Sequence, residues 1–218
     1  MTPSELRTLT QVRADLARLI RYDDQSVVAD HWGRQRYASG GFAGLSAARA
    51  AAVATAWHEA GHAVAALAVG ARFTSASIHY GGASAPSAGR VAGRAGRGSA
   101  GRGSAGRVHG VTGAGAESFV VDAAGQVAER LRDWSMLDTD AALRQWLPTW
   151  RRDGGDARRF RQAVAARPAR EGWDEVTAWR HSEAVLIPRR LQVRAVARAL
   201  LVAPRHLPYA VVAAIAQS

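Results

Sequence analysis

Apolar residues near the start of the chain, Leu6, Leu9, Val12, Leu16, Leu19 and Ile20, recur at three- and four-residue steps. That spacing lines one face of a helix and predicts an amphipathic helix from Pro3 to about Tyr22, with Ser4 as its cap. From Asp23 to Gly44 the period is lost and the Gly40-Gly41 pair appears, which reads as a connector. A soft boundary there gives an N-terminal helical extension and connector at 1–44 and a main domain at 45–218. The pattern then becomes almost continuously apolar and Ala-rich, predicting a long helix from about Ser46 to Val69 ended by Gly70, the residue best suited to a left-handed C-cap. Arg49, His58, Glu59 and His62 lie inside this apolar stretch, and each would cost on the order of a few kcal/mol in lipid. The stretch is therefore read as a buried helix and not as a membrane span.

Arg72 to Tyr80 (RFTSASIHY) alternates β-branched and aromatic residues with polar ones and reads as a strand bounded by Gly81-Gly82. Ser87 to Gly115 is low in complexity and repeats a short AGRGS unit. It has no apolar face with which to offset its chain entropy, and is expected to be a flexible insertion. Its flanks, Arg90-Val91 and Arg107 to Val111, are the parts able to continue a strand. Helical spacing returns at Glu117–Trp134, Asp138–Trp150 and Asp156–Ala166, the last approached through Asp153-Gly154-Gly155 and ended by Pro168. Trp173 to Ala216 reads as one or two helices interrupted at Pro188, with Pro204 and Pro208 bracketing a final turn. Trp134, Trp146, Trp150, Trp173 and Trp179 are expected to pack helices together.

The chain has 218 residues, 48% of them hydrophobic and few aromatic, enough for a core of closely packed helices. It has no cysteine, so a metal must be held by His, Asp or Glu. The opening MTPSELRTLTQVRADLARLI does not read as a secretory signal, and a cytoplasmic location is the default expectation. A formal net charge of +11 suits polyanions. Arginine is spread through the whole chain and the motifs of nucleic-acid modules are missing, so the charge is read as compositional, with nucleic acid not expected as a partner. The five arginines of the insertion, Arg90, Arg94, Arg97, Arg102 and Arg107, are read as a solvated run.

The chemistry is concentrated in His58-Glu59-Ala60-Gly61-His62, an H-E-x-x-H sequence in the middle of a predicted helix. Residues four apart share a helix face, so both imidazoles can bind one Zn²⁺ while Glu59 reaches the activated water as general base. Gly61 costs up to about 1 kcal/mol of helix propensity, which implies a compensating close approach of backbone or substrate. The bland alternative is a chance pentapeptide whose histidines are hydrogen-bonded in the core. His31, His79, His109, His181 and His206 are scattered singly and are read as surface or satisfied core histidines.

Trp57 to Val64 (WHEAGHAV) resembles the HEAGHAV signature of the FtsH-type membrane peptidases. The resemblance implies a mainly α-helical, zincin-like peptidase domain with a small strand or hairpin beside the active-site helix. It covers roughly Ala54 to Ala166, and Gly125-Gln126-Val127-Ala128-Glu129 is similar to the family's small-residue AAE segment. The family's third zinc ligand is an Asp opening a later helix, which implies Asp156 in Gly154-Gly155-Asp156, with Asp140 as the competitor. His58, His62 and Asp156 would then hold Zn²⁺ and Glu59 would be the catalytic base. The family's peptidase is fused to a membrane anchor and an ATPase, and no G-x-x-x-x-G-K-[ST] loop occurs in this sequence. An ATP-independent zinc metalloendopeptidase acting on unstructured protein or peptide is expected, with a separate ATPase or adaptor as a possible partner and oligomerisation open. The alternatives are a non-catalytic, zinc-stabilised interaction protein of the same fold, and nucleic-acid binding through the arginine-rich loop.

Overall fold

The computed structural model describes residues 1–19, 42–79, 105–133, 135–150, 155–167, 173–203 and 206–218. The connector at 20–41, most of the low-complexity insertion, His31, Trp134, Asp153, Gly154, Pro168 and Pro204 lie outside the described residues. Helix α1 spans Pro3–Leu19. It is capped by Thr2 and not by Ser4, because Thr2 Oγ1 accepts from the Glu5 N–H at 3.2 Å while the Glu5 carboxylate accepts from the Thr2 N–H at 2.5 Å. This reciprocal capping box leaves Pro3 at the first helical position, where a missing N–H costs nothing.

Helix α2, Phe42–Ala68, begins four residues before the expected start. Ala52, Val53, Ala56, Trp57, Ala60 and the run Ala63–Ala66 are all buried, which places apolar residues on every side of the helix and makes it the centre of the fold. Gly70 (φ 72°) ends it: the Ala71 N–H reaches Ala66 O and the Gly70 N–H reaches Leu67 O, satisfying the last carbonyls.

Strand β1, Ser75–His79, is the middle of a three-stranded antiparallel sheet. On one side it pairs with β2, Ala105–His109, in the register Ser75↔His109 to His79↔Ala105, and the pairing is prolonged by a bridge between Arg72 and Thr112. On the other side it pairs with β3, Leu207–Pro208. The flank from Arg107, read as able to continue a strand, does so as part of β2, while the expectation of a flexible stretch up to 115 does not hold for residues 105–115. Backbone pairing with β1 supplies the stabilisation that its side chains lack. β3 was not foreseen; Pro208 suits it because a strand at a sheet edge can spare an N–H.

A short 3₁₀ turn at Gly115–Glu117 leads into α3, Ser118–Asp133, followed by α4, Asp140–Trp150, and α5, Gly155–Ala165. Pro188 breaks the last third into α6, Glu175–Leu186, and α7, Arg190–Val202, before α8, Tyr209–Ala216. Around α2 are packed α3, α7 and the sheet, with α5 and α6 against α3. Leu9 and Val12 of α1 belong to the same core, since α1 lies on α7 and α8. Trp146, Trp150, Trp179 and Phe160 form one aromatic cluster joining α4, α5 and α6, with Trp150 and Trp179 centred 5.2 Å apart. None of the described helices is long and apolar enough to cross a membrane.

Candidate metal centre

A close contact between α2 and α3 builds the site. Gly61 on α2 is pressed so near α3 that an added Cβ would lie 2.4 Å from Ala124 O and 2.6 Å from Ala128 Cβ. Backbone contact with α3 is therefore the reason for a glycine in mid-helix. It draws His58 and His62, one turn apart, against α3 beside Gly125. A Cβ at Gly125 would fall 2.5 Å from His58 Nε2 and 2.6 Å from His62 Nε2, in the space that both ring nitrogens face.

Each ring is fixed by its other nitrogen. His62 Nδ1 lies 2.6 Å from Val121 O, and a carbonyl only accepts, so Nδ1 carries the proton and donates. His58 Nδ1 donates to Glu129 Oε1 at 2.6 Å. Both Nε2 atoms are thereby turned toward one point, 3.1 Å apart. Asp156, at the start of α5, brings Oδ2 to 3.1 Å from His58 Nε2 and 3.5 Å from His62 Nε2. Three atoms able to ligate a metal converge: without an ion a proton on His58 Nε2 bridges to Asp156, and a cation can take that proton's place. In a tetrahedral zinc site with bonds of about 2.05 Å, neighbouring ligand atoms are separated by about 3.3 Å, close to the spacings seen. His58, His62 and Asp156 form a group that can hold a metal ion.

The electrostatics follow from this convergence. Burial opposes a charge on His58, but the carboxylates of Asp156 and Glu129 outweigh it and push its pKa up to about 10. Burial also acts on Asp156, yet the two histidines hold its carboxyl well below the usual carboxylate range. Glu59 is 6% exposed. Burial pushes its carboxyl up, against the opposing charges of His62 and His58 and a hydrogen bond from the Val108 N–H. Gly106 on β2 makes room for it, since a Cβ there would come within 2.4 Å of Glu59 Cγ.

The centre opens into a cleft of about 750 Å³ lined by Glu59, Gly106 to Val108 of β2, the Val111–Gly115 turn, Asp122 and Arg159. Asp140 is elsewhere, accepting from Arg180 Nε at 3.0 Å. His109 faces Ser77 and His181 faces Glu117, while His206 is exposed; none of the three joins the metal group. His79 lies on β1. Glu129, Gly125, Asp122 and Arg159 had been given no role from sequence. The i,i+3 spacing of Asp156 and Arg159 was the one local signal.

The purified protein should contain about one metal ion per chain by elemental analysis. His62→Ala and Asp156→Ala should lose it, and Asp140→Ala should keep it. The reverse result for the two aspartates would refute the assignment of Asp156. No family model, curated protein or solved structure matches this chain.

Proposed function

We propose that the protein is a zinc-dependent metalloendopeptidase in which His58, His62 and Asp156 hold the metal and Glu59 is the general base. The observation that carries this reading is the position of Glu59, a buried carboxylate next to the three converging ligand atoms and at the wall of the same cleft. Two histidines and a carboxylate also suit ferrous iron. A site for hydrolysis needs in addition a base within reach of the attacking water, and Glu59 fills that role.

Zinc held by His58, His62 and Asp156 would supply Lewis acidity, activating water near neutral pH and polarising the scissile carbonyl. Glu59 takes the proton from the attacking water and passes it to the departing amine. The Val108 N–H and the bare Cα of Gly106 fix where its carboxylate stands. Glu129 and Val121 O keep the two rings in the tautomer that presents Nε2.

Among the described residues β2 is an edge of the sheet, and its residues 106–108 border the cleft. An extended peptide can add along that edge as a further strand, its backbone supplying the hydrogen bonds. Such binding takes unstructured segments, and the sequence offers no nucleotide-binding loop with which to unfold others. A separate ATPase or adaptor would supply that step for folded substrates.

An unfolded polypeptide incubated with the protein should be cleaved internally. Cleavage should stop with a zinc chelator and return with one equivalent of Zn²⁺. Full metal occupancy without any cleavage of unfolded polypeptides would instead favour an interaction protein held together by zinc.

A further inference from the structure

Asp156 meets the histidines with one oxygen only. Oδ2 faces His58 and His62, whereas Oδ1 is bound by Arg159 Nη2. Arg159 is held in turn by Asp122 on α3, whose Oδ1 accepts from Arg159 Nε at 2.8 Å. The guanidinium lies against the start of α5, where a Cβ on Gly155 would come to 3.1 Å from Nη1. Asp122 and Arg159 both line the cleft, and the hydrolysis described above uses neither.

A carboxylate free to turn about its last bond can bind a divalent cation through both oxygens. The second oxygen then takes a coordination position that a hydrolytic site must keep for water and substrate. Arginine prevents this better than lysine, because its planar fork donates in two fixed directions at once, here to Asp122 and to Asp156. A lone guanidinium beside a metal ion would repel it. Asp122 offsets that charge, so the pair adds no net charge to the surroundings of the metal.

We propose that Arg159, oriented by Asp122, is a positioning residue that occupies Asp156 Oδ1, restricts Asp156 to one coordinating oxygen and so keeps the cleft-side coordination position free. The inference rests on the metal-site reading above. It assigns a role in that site to a bridge between α3 and α5 that otherwise has the look of an ordinary surface ion pair.

The test uses Co²⁺ as the probe, in wild type, Arg159→Gln, Asp122→Asn and the double variant. Cobalt with four donors absorbs visible light strongly, and with five or six donors several-fold more weakly. Affinity is read by competition with a chelator, and thermal unfolding of the cobalt-free proteins controls for folding. Wild type should give the intense spectrum. Each single variant should give the weak one and bind cobalt about 10–100-fold less tightly, the usual cost of losing an outer partner of a ligand. The double variant should be no worse than Arg159→Gln alone, because Asp122 acts through Arg159. An unchanged spectrum and affinity in Arg159→Gln, or additive losses in the double variant, would overturn the proposal while leaving the metal site standing. A wild type that takes up no cobalt would overturn both.

Discussion

Glu59→Gln should leave the metal in place and reduce kcat for peptide hydrolysis by about 10²–10⁴-fold, the usual contribution of a positioned proton carrier. Glutamine has nearly the shape of glutamate, so it can keep its place over Gly106 and against the Val108 N–H. It cannot accept a proton from water. His58, His62 and Asp156 are untouched, and elemental analysis should still find the metal. The two readouts must separate: full occupancy with activity lost assigns Glu59 to chemistry, and loss of both would make it part of the metal's support. A variant as active as wild type would end the peptidase reading, whatever the metal content.

Gly125→Ala is expected to give a folded protein that no longer binds metal. In a mid-helix position alanine is favoured over glycine by about 1 kcal/mol, so α3 itself gains. The new methyl group, however, falls within 2.6 Å of both ligand nitrogens and occupies the ion's place. Metal affinity should fall by at least about 10²-fold, more than the loss of an outer partner produces. Thermal unfolding with and without added zinc checks this. Zinc should raise the midpoint of wild type through its preference for the folded state and leave that of the variant unmoved. Equal stabilisation of both proteins would show that the cation sits elsewhere.

The site was legible in sequence as far as local spacing reaches. H-E-x-x-H on an apolar helix names two candidate ligands and a candidate base because four residues make about one turn. Asp156 and Asp140 could not be told apart that way, since each opens a helix; the packing of α5 and α4 against different neighbours separates them. Glu129 fell within a segment already noted for its resemblance, yet its bond to His58 depends on the offset between α2 and α3. That offset is set by the Gly61 contact, which the sequence announced only as a close approach of backbone or substrate, without naming α3 as the partner. The helices were readable from their apolar period. β2 was harder, because its composition continues that of the repeat before it, and its order comes from pairing with β1 and not from its own side chains. β3, two residues long, leaves no period to detect.

The strand at the centre of the sheet is held from two very different distances along the chain, by residues 105–109 and by Leu207–Pro208. All three candidate ligands have left the ribosome once Asp156 has, but β1 still lacks its second neighbour, and α1 still lacks the α7 and α8 surface it rests on. Contacts that close such long loops form late. A growing chain therefore carries every chemical group of its centre before it has the frame to use them.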